Sequence, residues 1–163
     1  MKKQNVIIVG GGTAGWMCAA ALSKLIGNRL NITLVESEQI GTIGVGEATV
    51  PTFLTLHRLL KIDEADFLSK VQGTIKLGIS FENWRQIGHQ YIHSFGFTGQ
   101  GCWAAGFQHF WLKGKQLGLS EDYGDYTPEL KAAKENKFGF LKEAPLHYAY
   151  HIDAGRYATF LRQ

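Results

Sequence analysis

A glycine pattern between an apolar run and a helical repeat constrains the fold more than any other feature of the chain. The motif glycines Gly10, Gly12 and Gly15, in segment 10–15 (GGGTAG), follow the continuous apolar run 6–9 (VIIV), which is typical of a strand buried on both faces of a parallel sheet. Over 16–26, apolar and alanine residues then recur at helical spacing. A second apolar run, 32–35 (ITLV), ends at Glu36. The pattern predicts one complete β-α-β unit with parallel strands.

Each glycine of this pattern has a physical purpose if a dinucleotide is bound. Gly10 permits the tight turn, Gly12 lets the backbone approach a pyrophosphate, and Gly15 allows close packing of helix on strand. Glu36 lies 21 residues after Gly15, where an acidic side chain accepts hydrogen bonds from ribose hydroxyls. The alternative is a glycine-rich turn without a ligand. The motif does not separate FAD from NAD, whereas Glu36 disfavours NADP, because its carboxylate would repel the 2′-phosphate.

Loops, short helices and extended segments are predicted after this unit. The first half should contain a loop over 38–50, a helix from Pro51-Thr52 with Phe53, Leu56, Leu59 and Leu60 on one side, a short helix capped by Asp63 and a half-buried strand over 74–84. The second half should contain an extended segment over 91–97, a loop over 99–106, a helix from Thr127-Pro128 to about Phe138, a strand over 147–152 and a helix capped by Asp153.

The composition is that of an ordinary globular chain. Hydrophobic residues make up 45% and charged residues 19%, and the net charge of +3 is too small to indicate nucleic-acid binding. No apolar run reaches the ~18 residues that a membrane-spanning helix needs. Cys18, in a helix predicted to be buried, and Cys102 do not indicate a disulfide framework, so we expect a cytoplasmic protein. No metal site is expected.

Four segments, taken together, resemble the tryptophan-type flavin-dependent halogenases. They are 10–16 (GGGTAGW), 44–51 (GVGEATVP), 76–84 (KLGISFENW) and 93–96 (HSFG), and 151–161 (HIDAGRYATFL) resembles a further family segment near the flavin. The segment 44–51 is the most specific, because related halogenases that act on phenols or carrier-bound pyrroles differ there. The resemblance runs in order from Val6 to the end of the chain.

The resemblance implies a Rossmann-like α/β FAD-binding fold of the flavin-monooxygenase type, incomplete in this chain. It implies FAD, used as FADH2 from a separate flavin reductase, with a halide ion as co-substrate and a small aromatic partner such as tryptophan or another indole. It further implies that oxygen and halide yield hypohalous acid, which a lysine guides to the ring that is chlorinated or brominated. Neither nucleic acid nor membrane is expected as a partner, and a homodimer is left open.

Lys76 is that lysine by the matching motif. A lysine between Ile75 and Leu77 would be poorly solvated, which lowers the pKa of an amine. It would hold hypohalous acid by a hydrogen bond or react with it to a chloramine, and either would confine the oxidant to one geometry. From the alternating pattern alone, however, Lys76 would lie on the solvent face of its strand.

His93 and Phe95 match the family positions that flank the substrate ring. An aromatic wall beside a polar group suits indole, which offers two π faces and one N–H donor. From the pattern alone, Phe95 would be a core residue and His93 a polar group with a partner. Glu47, in the segment 44–51, either braces the loop through hydrogen bonds or contacts the flavin, and the two roles do not exclude each other.

The chain is expected to form the N-terminal part, over 1–163, of a single FAD-binding halogenase domain whose remainder is absent. Family members are much longer, and their later motifs are missing, so the chain alone should bind FAD weakly and should not halogenate. An aromatic monooxygenase of the same fold and an inactive FAD-binding fragment are the alternatives. The predicted cofactor-binding residues are Gly10, Gly12, Thr13, Ala14, Gly15, Glu36, Val45, Gly46, Glu47 and Ala48.

Overall fold

The predicted β-α-β unit is present at the start of the chain. In the computed structural model, which describes residues 2–37, 39–40, 46–140 and 142–163, strand β1 spans Gln4–Val9, helix α1 spans Thr13–Leu25 and strand β2 spans Leu30–Val35. The strands pair in parallel, from Gln4 opposite Leu30 to Val9 opposite Val35. Helix α1 packs on both strands, as a crossover helix should.

The prediction that these strands are buried on both faces is wrong. Val6 and Ile8 are half-buried, whereas Ile7 is 69% and Val9 83% exposed. Helix α1 covers a single face of the pair, and alternate side chains of a strand point to opposite faces. The helix is not buried either, because none of its residues is fully enclosed and Cys18 is exposed.

The chain divides into two compact units, and the β-α-β unit belongs to the first, which comprises residues 1–74 and 149–163. This unit also contains strand β3 (Glu47–Ala48) in the predicted loop, antiparallel to strand β7 (Ala149–Ile152). Its further helices are α2 (Thr52–Leu60), α3 (Glu64–Val71) and α6 (Ala154–Arg162). Helix α1 packs on α2 and α6, and α3 packs on α6.

Aromatic rings form the core of the first unit. Phe67 and Tyr157 have no exposed surface, and the His57 ring lies 4.4 Å from the Phe67 ring and accepts or donates a 3.0 Å hydrogen bond at Tyr157 Oη. Burial lowers the pKa of His57 to about 4 and raises that of Tyr157. The predicted inner face of α2 is partly wrong, because Leu59 is exposed whereas Leu54 and His57 are buried.

The second unit comprises residues 75–148 and is built around an antiparallel hairpin. Strand β5 (Gly78–Glu82) pairs with β6 (Gln90–Ser94), from Gly78 opposite Ser94 to Glu82 opposite Gln90. The predicted single strand over 74–84 is wrong: strand β4 (Thr74–Lys76) precedes β5, and the alternation breaks at Leu77, which is buried like its neighbour Lys76.

Two helices complete the second unit. Helix α4 (Phe107–Gln116) was not predicted, since glycines precede and interrupt its apolar repeat. Helix α5 (Pro128–Lys134) begins at the predicted proline. It ends before Phe138, because Asn136 adopts a left-handed backbone with φ of 52°. None of the helices in the described ranges is both long and apolar enough to cross a membrane.

Candidate functional site

The turn between β1 and α1 requires glycine at two of its positions. Gly10 has a φ of +119°, and its N–H donates to the Val35 carbonyl oxygen at 2.9 Å, which joins the turn to the end of β2. A Cβ atom at Gly15 would lie 1.9 Å from the Gly10 carbonyl oxygen. These are the turn and the close helix–strand packing that the sequence predicts.

Gly12 leaves the start of α1 open. Gly12, the residue before the helix, has an extended backbone with φ −74° and ψ 179°, and an added Cβ there would meet nothing within 4 Å. Thr13 and Ala14 form the first turn of the helix, whose free N–H groups and dipole attract anions. This geometry suits a phosphate group placed against the turn.

A cavity of about 480 Å³ begins at the same turn, within the range of ligand pockets. Four predicted cofactor-binding residues line it: Thr13, Ala14, Glu47 and Ala48. The remaining lining residues were not predicted as site residues: Met17, Thr49, Val50, Thr52, Phe53, Leu56 and Ile152. Thr49, Val50 and Ile152 lie within the family-like segments 44–51 and 151–161, which could have indicated them.

Glu47 lies in β3, where its backbone is paired with Ile152. Strand pairing therefore holds the segment in place, and the Glu47 carboxylate makes no hydrogen bond or ion pair to any residue that the structure describes. Glu47 also lines the cavity, and its two expected roles, bracing the loop and contacting the flavin, both remain predictions. Gly46 directly precedes β3, and Val45 lies outside the described residues, as does Gly44.

Glu36 follows the end of β2 and is held by two side chains that the sequence analysis did not include. Trp16 Nε1 donates to Glu36 Oε2 at 3.2 Å, and Arg162 Nη1 donates to Glu36 Oε1 at 3.3 Å. The Arg162 guanidinium also lies over the Trp16 indole, 5.6 Å from the ring centroid. The sequence pattern places Trp16 in the helical repeat, and Arg162 lies beyond the last predicted helix, so neither pattern indicates these contacts.

Lys76 is buried, with 8% of its surface exposed, so the solvent-face alternative is wrong. Its Nζ lies 5.3 Å from the centroid of the Phe95 ring. Burial lowers the pKa of Lys76 below its ordinary value, because desolvation penalises the ammonium form. The expected combination of an amine with a lowered pKa and an aromatic wall is therefore present.

The hairpin brings Lys76 and Phe95 together. The Phe95 N–H donates to the Leu77 carbonyl oxygen at 2.9 Å, beyond the last pair of β5 and β6. Gly78 permits this close approach, since a Cβ there would lie 2.6 Å from the His93 carbonyl oxygen. The His93 side chain is exposed, and among the described contacts its ring makes none with Lys76.

A buried carboxylate supports the segment that follows Phe95. Glu129, 3% exposed, accepts the backbone N–H of His147 at 2.7 Å with Oε1, which also lies 3.2 Å from His147 Nδ1. Its Oε2 has no partner in the described part of the chain. A Cβ at Gly96 would overlap this carboxylate, so glycine at this position leaves the room that the Glu129 side chain needs. Glu129 lies among charged residues such as Lys131 and Lys134, a pattern typical of a solvated helix face, so the sequence does not indicate its burial.

Comparison with known proteins agrees with this geometry. The family model described as "Tryptophan halogenase" matches residues 5–163. The tryptophan 7-halogenase RebH of Lentzea aerocolonigenes is 32% identical over 99% of this chain and 34% of its own length. The 7-chloro-L-tryptophan 6-halogenase KtzR of a Kutzneria species is 52% identical over 90 residues, which are 55% of this chain and 17% of its own.

Solved structures give the same result. A flavin-dependent halogenase from Xanthomonas campestris superposes with a TM-score of 0.93 at 59% identity, over 99% of this chain and 33% of its own. A flavin-dependent halogenase from a Brevundimonas species gives 0.85 at 38% identity, over 99% and 33%. The expected Rossmann-like α/β fold is thereby confirmed, and the chain spans about a third of the length of these relatives. The chain belongs to the tryptophan halogenase family.

Proposed function

We propose that this chain is part of an enzyme that halogenates an indole-type aromatic substrate, such as tryptophan, with FADH2, oxygen and chloride or bromide. The observation that carries the proposal is the buried Lys76 amine against the Phe95 ring, in a chain of this family. The whole activity is attributed to the longer protein, because the chain matches only about a third of the length of RebH and of the Xanthomonas halogenase.

The chemistry proposed for Lys76 follows from its environment. A lowered pKa increases the fraction of neutral amine at a given pH, and a neutral amine can bind hypohalous acid through its lone pair or react with it. In either case the halogen is transferred to the ring as an electrophile. The ring loses a proton, and oxygen of the hypohalous acid leaves as water. Lys76 thus serves to confine an otherwise indiscriminate oxidant.

Phe95 and His93 are proposed to flank the substrate ring. Phe95 is half-buried and shares its ring surface with Lys76, so an indole packed on Phe95 would lie within reach of the amine. His93 is exposed and has no ring contact among the described residues, which leaves its imidazole available for a polar contact with substrate.

FAD is the proposed cofactor, and the residues present fit it. The open backbone at Gly12 and the start of α1 suit the pyrophosphate, and Glu36 suits the ribose. The adjoining cavity offers the Glu47 side chain and mostly apolar neighbours to the rest of the cofactor. Bound in its reduced form, FAD supplies the electrons with which oxygen makes halide electrophilic. A separate flavin reductase is the proposed source of FADH2.

Product analysis tests the proposal. The longest obtainable form of the protein would be incubated with FAD, a flavin reductase, NADH, oxygen and either chloride or bromide, together with a panel of indoles and phenols. Mass spectrometry should detect an indole product in which halogen replaces hydrogen. Reactions without halide, and reactions without the reductase, are the controls and should give none.

Two other outcomes would each contradict halogenation. An aromatic product that has gained oxygen would identify a monooxygenase of the same fold, although such an enzyme has no need for a buried lysine beside the ring. Normal oxidation of FADH2 with no modified aromatic compound would support only the flavin-binding part of the proposal.

A further inference from the structure

We infer that Trp16 and Arg162 are positioning residues, which fix the carboxylate of Glu36 for recognition of the adenosine ribose of FAD. The inference rests on the proposed FAD binding and extends it to two residues outside the glycine motif. It is carried by two hydrogen bonds of one carboxylate, from the Trp16 indole N–H and from the Arg162 guanidinium, and by the space that Gly11 leaves for that carboxylate.

Each oxygen of the Glu36 carboxylate has its own donor. Oε2 accepts from Trp16 Nε1 at 3.2 Å, and Oε1 accepts from Arg162 Nη1 at 3.3 Å. A carboxylate oxygen has two lone pairs, so each retains one for a ribose hydroxyl. Because a third of the Glu36 side chain is exposed, these lone pairs are open to a ligand. The carboxylate is thus held in place and can still accept hydrogen bonds from a ligand.

The two donors support each other. The Arg162 guanidinium lies 5.6 Å from the centroid of the Trp16 ring, so a cation–π contact joins them in addition to their shared acceptor. Trp16 is on α1 and Arg162 is on α6, and these helices pack together. The pair therefore orients Glu36 from two elements of one unit, which restricts the carboxylate more than either donor alone.

Gly11 completes the arrangement. A Cβ at this position would lie 1.8 Å from Glu36 Oε2 and 2.5 Å from Glu36 Cβ. Only glycine therefore lets the carboxylate lie directly over the turn, beside Gly10 and Gly12. The hydrogen bond from the Gly10 N–H to the Val35 carbonyl oxygen holds the same two segments together. The ribose site and the phosphate site are thereby fixed relative to each other.

The test compares affinities for FAD and for an FAD analogue whose adenosine ribose lacks the 2′- and 3′-hydroxyls. The variants are Trp16→Phe, which keeps the ring but removes the N–H, Arg162→Gln, which removes the charge, and Glu36→Gln as reference. Each variant should bind FAD with about tenfold lower affinity, the order expected when a hydrogen bond to a charged group is lost. None of the variants should appreciably lower the affinity for the deoxy analogue, since the hydroxyl that the carboxylate recognises is already absent.

Matched controls and a rescue make the result specific. Arg156→Gln changes an exposed arginine on the same helix, and Trp111→Phe removes an indole hydrogen bond, to the Glu121 carbonyl oxygen, in the other unit. Both should leave the ratio of FAD to deoxy-FAD affinity unchanged. Arg162→Lys keeps the positive charge and should restore part of the ratio that Arg162→Gln loses.

Other outcomes would overturn the inference, and they can be told apart. If Trp16→Phe and Arg162→Gln weaken both ligands equally, the residues have only a structural role. If Glu36→Gln changes the ratio but neither of these variants does, Glu36 needs no positioning, although FAD binding stands. If the unmodified protein binds no FAD, the proposed function fails, and this inference fails with it.

Discussion

At the scale of single residues, Gly15 and Gly12 serve different purposes in one turn. A Cβ at Gly15 would collide with the Gly10 carbonyl oxygen, whereas a Cβ at Gly12 would project into open space. Gly15→Ala should therefore force α1 away from β1 and lower the free energy of unfolding by about 2 kcal/mol, a typical cost of overpacking.

Gly12→Ala is the matched comparison for this prediction. It should leave stability within about 0.5 kcal/mol of the unmodified protein, because nothing is crowded. It should nevertheless weaken the binding of FAD, since the added methyl group lies where the pyrophosphate is proposed to approach. Denaturant unfolding and FAD titration of both variants measure the two effects, and equal stability of the two variants would contradict the packing argument.

A second prediction at this scale concerns His57. Its pKa is lowered from 6.5 to about 4 by burial, so between these values the unfolded chain binds more protons than the folded one. The stability that the neutral ring contributes is present above pH 6.5 and is lost as the pH falls towards 4. The loss amounts to about 3 kcal/mol, at 1.36 kcal/mol per pKa unit.

The variant His57→Gln isolates this contribution from the carboxylates that titrate in the same range. Glutamine cannot take up a proton but can still hydrogen-bond to Tyr157 Oη. Unfolding in denaturant at pH 7 and pH 4 should show a smaller acid-induced loss in the variant than in the unmodified protein. Identical losses in both proteins would contradict the role assigned to the buried ring.

At the scale of elements, the short helices depend on their caps. Asp153 Oδ1 accepts the Arg156 N–H at 2.8 Å at the start of α6, the helix that contains Arg162. Asp153→Ala should cost about 1 kcal/mol of stability, as the loss of such a cap usually does. Asp153→Ser, which can still cap, should recover most of it in the same unfolding measurement. Equal destabilisation by both substitutions would show that the cap is not the cause.

The elements that the sequence predicts well are those with a strong local signal. The glycine turn, the caps Asp63 and Asp153 and the proline start of α5 all lie at or next to the expected residue, because each depends on the chemistry of a few neighbours. Helix α4 was missed, because the glycines around it mask its repeat. The end of α5 was misjudged, because a left-handed residue rather than the apolar pattern ends it.

The candidate site was predictable only where a motif defines it. Pattern alone placed Lys76 on the solvent face, since local alternation cannot show the break at Leu77 that turns the lysine inward. The contacts of Glu36 with Trp16 and Arg162 depend on three separate elements, so no local pattern could reveal them. The roles of the predicted cofactor and substrate residues remain predictions.

At the scale of the whole molecule, the two candidate sites belong to different compact units. The glycine turn, Glu36 and the cavity belong to the unit of residues 1–74 and 149–163, and Lys76 with Phe95 belongs to that of 75–148. The expectation of a single domain over 1–163 and that of a cytoplasmic location both remain untested predictions. Because each site has its own local geometry, we expect flavin oxidation and halogen transfer to be separable by mutation.

The most direct test of the account is therefore to replace the Lys76 amine and follow both activities in the longest obtainable form of the protein. Lys76→Met keeps a long apolar side chain in the buried position, and Lys113→Ala removes an exposed lysine of the same unit as a control. We predict that Lys76→Met halogenates at least about 100-fold more slowly than the unmodified protein, because a group that acts directly on the reactants is lost. The rate of FADH2 oxidation by this variant, and both rates of the control variant, should be unchanged. Halogenation by Lys76→Met at the rate of the unmodified protein would contradict the central claim.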